Sequence, residues 1–574
     1  MTEITPLTYI NNIFDDFEAH FTAKMNNNEI EKTSIENKEK YILFLSIGNP
    51  SIRARVFNES STNLPQAFDK LRRKAIDIVR KNHLDPQWVK IDVVTSIEKL
   101  AFEELETLIA KTRKNYFRYG IAFDPEFRLA LLEQELNGNA ILRNVKNRPL
   151  EINEKNMNHY LNYNLGRQRL PFIKNRYRNK DVYIFKTTSA FVDRENGKVI
   201  DLYGGDLSNG IRKAEDMEYE TKKLIEKATY FLVDQIKPSG QFIYGYFSAF
   251  AKKIGTYNIL RHSSSLYAMA EGYEVIQDKQ IIEAVEKGID YLIREAIVFK
   301  EDDTAFVVDH ANEKEIKLGS NATAILAMTK YAEVTGNDKY IPYAQALAKG
   351  ILQMKTPSGG FMHVLTYPSF EIKDVYRIIY YEGEAIFALL RLYAIDKEDL
   401  WLNEAKKSFD YFIANDYWKH HDHWLSYAAN ELTIYEPEDK YFIFGLKNCN
   451  GRLHFIYHRE TTYPTFLELT MAAYKMIDNI KELNKKYLLE HIDEDFLEAT
   501  IDHRAEYQRV GFFYPELAMY KKNPGLIMNG FFIRHHSFRV RIDDVEHYLS
   551  GYCQYLKYRT PRLSEKFKTS LANI

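Results

Sequence analysis

The hydrophobic pattern divides the chain near residue 205. Before that point short apolar runs alternate with helical stretches. Residues 41–47 (YILFLSI) and 52–57 (IRARVF) read as strands separated by Gly48, Asn49 and Pro50, a turn signal. Residues 65–82 repeat apolar positions at helical spacing, with Pro65 near the start, where its missing N–H is tolerated. Residues 88–94 (WVKIDVV) alternate as a half-buried strand, and 182–187 and 199–203 flank Asn196-Gly197, a hairpin signal. The expectation is an α+β domain over residues 1–205, of unknown role.

After residue 215 the strand signals nearly vanish and a helical unit recurs. Residues 273–293, 331–352 and 393–413 each start from a tyrosine that ends one helix, pass a short polar turn and enter a second, amphipathic helix. Ala284, Ala344 and Ala405 hold equivalent places about 60 residues apart, where small side chains let helices approach. A second echo, PSGQF at 238–242 and PSGGF at 357–361, stops a helix and turns the chain back. Residues 215–574 hold about six such units. Six helical hairpins can close into a ring, so the predicted fold is mostly α: an (α/α)6 toroid, carrying the catalytic site, preceded by the smaller α+β domain. An open solenoid is the competing arrangement. In a closed ring the faces bearing Arg261 and His423 meet in one cavity, and the segment with Asp543 and Asp544 borders it.

Composition narrows the function. Of 574 residues 45% are hydrophobic and 28% charged, which suits a folded globular chain. A net charge of −2 argues against a dedicated nucleic-acid binder. Two cysteines, Cys449 and Cys553, exclude a disulfide scaffold or a multi-thiolate metal centre. No secretory signal and no apolar run of about 18 residues is visible, so a soluble cytoplasmic protein with no membrane span is expected. The phosphate loop GxxxxGK[ST], GxGxxG and the GxSxG nucleophile elbow are all missing.

Four segments carry candidate chemistry. In 256–274, Arg261 can fork onto a carboxylate or phosphate, His262 can move a proton near neutral pH, and Tyr257 precedes them. In 422–431, His423, Tyr427, Asn430 and Glu431 share one helical face beside Trp424; such a stripe meets another polar stripe or faces a wet cavity. His420, His421 and His423 lack the i, i+4 spacing of a helical zinc site, so no metal is expected. In 534–552, Arg539, Arg541, Asp543, Asp544 and His547 crowd one short segment, and close charges shift each other's pKa. Tyr380, Tyr381, Glu382 and Glu384 open a helix, with Gly383 giving close access; Glu460 and Glu468 are weaker candidates of the same kind. A fifth segment, 166–180, is basic, with Phe172 and Tyr177 interleaved, and suits contact with a polyanion.

The stretch YYEGEAIFALLRLYAIDKEDLWLNEAKKSFDYFI, 380–413, resembles the helix pairs of glucuronyl C5-epimerases and N-acylglucosamine 2-epimerases, and the Pro-Ser-Gly-Gly-Phe turn is similar to those of helical-toroid glycan enzymes. The resemblance implies a carbohydrate-active enzyme on a sugar, uronic acid or glycan intermediate. The chemistry would be acid–base: epimerisation, hydrolysis or elimination, without a cofactor. Arg261 would hold an anionic group; His262, His423, Tyr381 or Glu384 would move protons; Asp543 and Asp544 would supply the second carboxyl. Tyr257, Trp424, Tyr427, Asn430, Arg541 and His547 would contact substrate. The alternative is a non-catalytic helical-repeat protein that binds a polyanion or a protein. The discriminator is whether the charged and aromatic residues converge in one closed pocket or spread over an open groove.

Overall fold

The computed structural model describes residues 5–144, 148–166, 170–205, 208–300 and 303–563. The N-terminal part is built on four long strands, β1 Lys38–Asn49, β2 Ile52–Ser61, β3 Trp88–Ala101 and β4 Asp181–Asp193. They run in the order β2-β1-β3-β4, every neighbour antiparallel, within an eight-stranded sheet. Alternation along β1 sends Leu43, Leu45 and Ile47 to one face and Ile42 and Phe44 to the other. The first face is covered by helices α1 Pro6–Asn26 and α2 Leu64–Asn82, through Phe14, Phe17, Phe21, Phe68 and Leu71. The second receives Met519 and Tyr520 from the far end of the chain. Both faces are buried, which is why YILFLSI reads as a nearly continuous apolar run.

From Met217 onward the chain is a closed ring of helix pairs. The outer helices are α3 Met217–Gln235, α5 Lys279–Glu295, α7 Ile341–Gln353, α9 Asp399–Ala414, α11 Asp439–Asn450 and α13 Glu494–Gln508. The inner helices are α4 Ile259–Ile276, α6 Leu318–Thr335, α8 Tyr380–Asp396, α10 His423–Tyr435, α12 Thr465–Glu482 and α14 Ile542–Tyr558. Each inner helix packs on the next, and α14 returns to α4, which closes the ring. Burial follows position. In α6 every residue from Leu318 to Ala332 is buried, whereas α5 buries one stripe, including Ile281, Ala284, Val285, Ile289 and Leu292. Ala284, Ala344 and Ala405 are buried, on the outer helices α5, α7 and α9. The two Pro-Ser-Gly turns follow α3 and α7, with Gly240 (φ 90°) and Gly359 (φ 104°) in the left-handed region that glycine favours.

Two expectations need correction. The inner helices begin near 60 residues apart only for α4, α6 and α8; the later pairs are shorter or longer, so the repeat is not uniform. Strands also persist after residue 215. Residues 297–374 contribute a five-stranded antiparallel sheet from the connections ahead of α6 and α8. Its strands are three to six residues long, too short to give a period-two signal.

The parts are joined through 509–541. The Ala54 amide donates to the Met519 carbonyl (2.7 Å) and Ser46 pairs with the Tyr520 hydroxyl (2.8 Å). Among the described residues no helix is long and apolar enough to cross a membrane.

Candidate active site

Helix pairs that alternate in direction leave all six inner helices parallel, so their N-termini converge at one mouth of the ring. First-turn residues there point at a common axis. Arg261 (α4), Tyr380 (α8), His423 and Trp424 (α10), and Asp543, Asp544 and His547 (α14) line one cavity of about 120 Å³. Tyr463, Pro464, Thr465, Ile533, His536 and Arg541 complete its wall. Aromatic rings and charges share this space, which suits a ligand with both C–H faces and hydroxyls.

The acids fall in two groups. Asp544 accepts both arms of the Arg541 guanidinium (2.7 and 3.1 Å). Asp543 lies 3.1 Å from Arg541 and 3.6 Å from Arg261 through Oδ2, while its buried Oδ1 has no hydrogen-bond partner. Burial, then the neighbouring Asp543 charge, raises the Asp544 pKa. Burial works against the Arg261 charge, but Asp543, Glu384 and Glu546 outweigh it and raise its pKa.

The second group lies deeper. Glu468 of α12 faces His547 of α14 (Nδ1 to Oε2, 3.0 Å) and His423 of α10 (Nε2 to Oε2, 3.8 Å). The two imidazoles meet edge to face with centroids 5.3 Å apart. Tyr427 donates to the other Glu468 oxygen (3.4 Å). Glu546 accepts from Ser264 (3.2 Å) and lies 3.3 Å from His547. Burial pushes both Glu468 and Glu546 well above the usual carboxylate range. When His547 Nδ1 carries the proton donated to Glu468, its Nε2 keeps a lone pair. That is how a carboxylate sets up an imidazole as a base. His423, Glu468 and His547 also put one donor atom each within 4.8 Å of one another, a set able to hold a divalent ion.

Several predicted residues lie elsewhere. His262 is fully buried against α5, with Nδ1 bonded to the Tyr257 hydroxyl (2.8 Å) and Nε2 to the Gly288 carbonyl (2.9 Å). Both ring nitrogens are occupied, and burial pushes the pKa down to about 4. Neighbours on a helix point about 100° apart, so when Arg261 faces the axis His262 cannot. Tyr257 receives the Phe242 amide beside His262, away from the cavity. Tyr381 packs on the His363 ring (5.3 Å). Glu384 sits behind Arg261 against Gly319, with Oε2 unpartnered, and burial raises its pKa to about 8. Gly383 gives access to no ligand: a Cβ there would meet the backbone of Trp424 and Leu425, so the glycine lets α8 and α10 touch. Tyr427 and Asn430 line a second cavity of about 370 Å³ at the opposite mouth. Asn430 donates to the Ala472 carbonyl (2.6 Å), and Glu431 is paired with Arg391 (2.8 Å). Seven or eight residues of helix span about 10–12 Å, so one stripe reaches both mouths.

Of the basic segment 166–180, residues 167–169 lie outside the described residues. Phe172 is buried, and the half-buried Tyr177 stacks on it (5.1 Å); both rings also pack on Phe123 of the N-terminal core. His421 is tied to the Asn448 carbonyl (2.8 Å) and belongs to a turn outside the cavity.

The sequence does not single out Glu546, Tyr463 or His536, and it offers Glu468 only as a weaker candidate. Glu468 and Glu546 lie on inner helices within otherwise ordinary amphipathic sequence; only their depth in the ring marks them.

No family model matches the sequence, and no curated protein matches it. Solved structures give partial matches at low identity. Cellobiose 2-epimerase from Bacillus thermoamylovorans is 12% identical, with 59% of this chain and 98% of that chain covered and a TM-score of 0.46. D-mannose isomerase is 11% identical, over 61% of this chain and 100% of that chain, at 0.44. A GH76 α-mannanase of Bacteroides thetaiotaomicron is 10% identical, over 60% and 97%, at 0.42.

Proposed function

We propose that the chain is a carbohydrate-active enzyme that moves protons on a sugar bound at the N-terminal mouth of the ring. One observation carries the reading: the Glu468–His547 pair, with His423 Nε2 buried and unpartnered beside it. Two imidazoles on different helices and a partly free carboxylate, Asp543, border one small cavity. Their placement suits removal of a proton from one side of a sugar carbon and its return from another. Where Glu468 is ionised, toward alkaline pH because burial raises its pKa, His547 acts as base with Glu468 stabilising the imidazolium; His423 supplies the second proton carrier. Arg261 and Arg541 neutralise negative charge that develops on a ring oxygen or is carried by a uronate. Tyr380, Trp424 and Tyr463 offer faces to the sugar's C–H surface. The enclosed convergence of these groups favours an enzyme over a scaffold with an open groove.

Carbon-centred proton transfer is favoured over glycoside cleavage because two imidazoles, His423 and His547, border the cavity beside the unpartnered oxygens of Asp543 and Glu546, rather than a carboxylate pair alone. The test is incubation with neutral sugars, amino sugars and uronic acids in D2O. Epimerisation or isomerisation introduces solvent deuterium at carbon, read by NMR, without new reducing ends. New reducing ends without deuterium identify a hydrolase instead. No turnover and no binding across the panel removes the reading.

A further inference from the structure

The mouth of the cavity carries more positive charge than its acids balance. Three segments meet there: 113–116 from the N-terminal part, 459–462 ahead of α12, and 534–541 ahead of α14. Hydrogen bonds knit them together. Asn115 donates to the Arg534 carbonyl (2.7 Å), the Thr462 amide to the Tyr116 hydroxyl (3.1 Å), and the Arg534 amide to the Thr462 hydroxyl (3.2 Å). Lys114 Nζ donates to the Ser537 hydroxyl (2.5 Å).

Every segment brings cations: Arg113 and Lys114, then Arg459, then Arg539 and Arg541; among them His536, whose pKa burial and then Arg539 lower, stands as a neutral imidazole. His536 and Arg541 line the cavity itself. Among the described residues only Arg541 of these is ion-paired with an acid. The others act on one another. Burial, then His536, Arg113 and Arg459, push His535 down to about 4. Burial and Arg113 lower Arg459; burial and Arg541 lower Arg539. Arg539 Nε and His535 Nδ1 have no hydrogen-bond partner. Beside the cations Phe455 is 37% exposed, with the Arg452 and Arg459 guanidinium carbons 3.9 and 5.0 Å from its centroid. A flat ring flanked by guanidinium groups offers a sugar face a platform and an oxyanion a fork. On a chain whose net charge is −2 this field is local.

We propose that this rim binds oxyanion groups, phosphate or carboxylate, carried by sugar residues outside the cavity, so that the substrate is an extended anionic glycan. This rests on the proposed sugar chemistry at the cavity, which the rim adjoins through His536 and Arg541. It also gives the N-terminal part a role: its 113–114 turn supplies a third of the rim. This basic surface, at 113–114, 459 and 535–541, is separate from the segment 166–180.

The test is calorimetric binding of four probes of matched length: an oligogalacturonate, a phosphorylated mannan oligosaccharide, a neutral galactan oligosaccharide and a single-stranded oligonucleotide. Both or either of the anionic glycans should bind at least about tenfold tighter than the neutral one, with the advantage shrinking as salt rises about sixfold from about 50 mM. The tighter of the two identifies the anion. The exposed-residue variant Arg113→Glu should lose about tenfold for the anionic glycan and leave the neutral glycan and the melting temperature unchanged. Equal affinity for neutral and anionic glycans overturns the proposal, as does an oligonucleotide that binds tighter than either, or no effect of Arg113→Glu. Turnover of neutral sugars without anionic preference overturns the rim alone. Salt-sensitive anionic binding without any turnover removes the enzyme reading and leaves the rim.

Discussion

His547 and Glu468 belong to adjacent inner helices, are 79 residues apart in sequence, and meet with Nδ1 3.0 Å from Oε2. The pair exists only because α12 and α14 are neighbours in a ring. His547→Asn keeps one polar atom near Nδ1 and abolishes the base. Turnover should fall by about 10²–10⁴, the usual worth of a general base. Glu468→Gln should lower kcat while substrate affinity changes little, because it acts through the imidazole. Unchanged kcat in both variants would falsify the role of this pair.

Asp543 and Asp544 should separate. Both Asp544 oxygens are bound by Arg541, so Asp544→Asn should lower stability by about 2–4 kcal/mol as a buried pair is broken. Asp543 has one free, buried oxygen at the cavity, so Asp543→Asn should affect turnover more than melting. Thermal melts and kcat/KM on both variants check this; the reverse pattern would reassign the two roles.

Glu384 sets a pH dependence of stability. Burial raises its pKa from 4.5 to about 8, with Arg261 opposing. The raised value means that the native state holds the proton more tightly than the unfolded chain. The stabilisation is fully present below about 4.5 and is lost as pH rises through about 8, at up to about 1.4 kcal/mol per pH unit. The stability difference between wild type and Glu384→Gln should therefore change over this window and level off above it. Denaturant melts at stepped pH measure it, and a flat difference would refute the assignment.

His262 is a control. It ties α4 to α5 by two hydrogen bonds and lies outside the cavity. His262→Ala should cost about 2–4 kcal/mol, while activity per folded molecule is retained. Loss of activity at unchanged stability would return it to the site.

Proton transfer by His423 and His547 needs no ion, so activity should survive EDTA. If a metal occupies the three-residue set instead, EDTA abolishes activity and an added divalent ion restores it. Elemental analysis of the purified protein distinguishes the two directly.

The chain alone specified helix pairs but left a closed ring and an open solenoid both available, and it did not reveal the short sheet at 297–374. Helix pairs such as 273–293 and 393–413, each with a polar turn and a buried alanine, specify hairpins through spacing that survives any tertiary arrangement. The apolar run at 41–47 and the alternation at 88–94 likewise read as strands. The sequence also marked Arg261, His423, Asp543 and Asp544, polar residues clustered where inner helices begin. Depth and azimuth it did not determine. His262 adjoins Arg261 yet faces an outer helix, since successive residues diverge by about 100°. Asn430 shares a stripe with His423 yet reaches the opposite mouth, because a helix rises about 1.5 Å per residue. Glu468 and Glu546 acquire meaning only when ring closure buries them together beside two imidazoles, where loss of water rather than local sequence sets their protonation. Arg113 and Arg539 join one field only because the N-terminal sheet docks on the loops before α12 and α14. Those contacts link residues 346 to 423 positions apart, which no local pattern encodes.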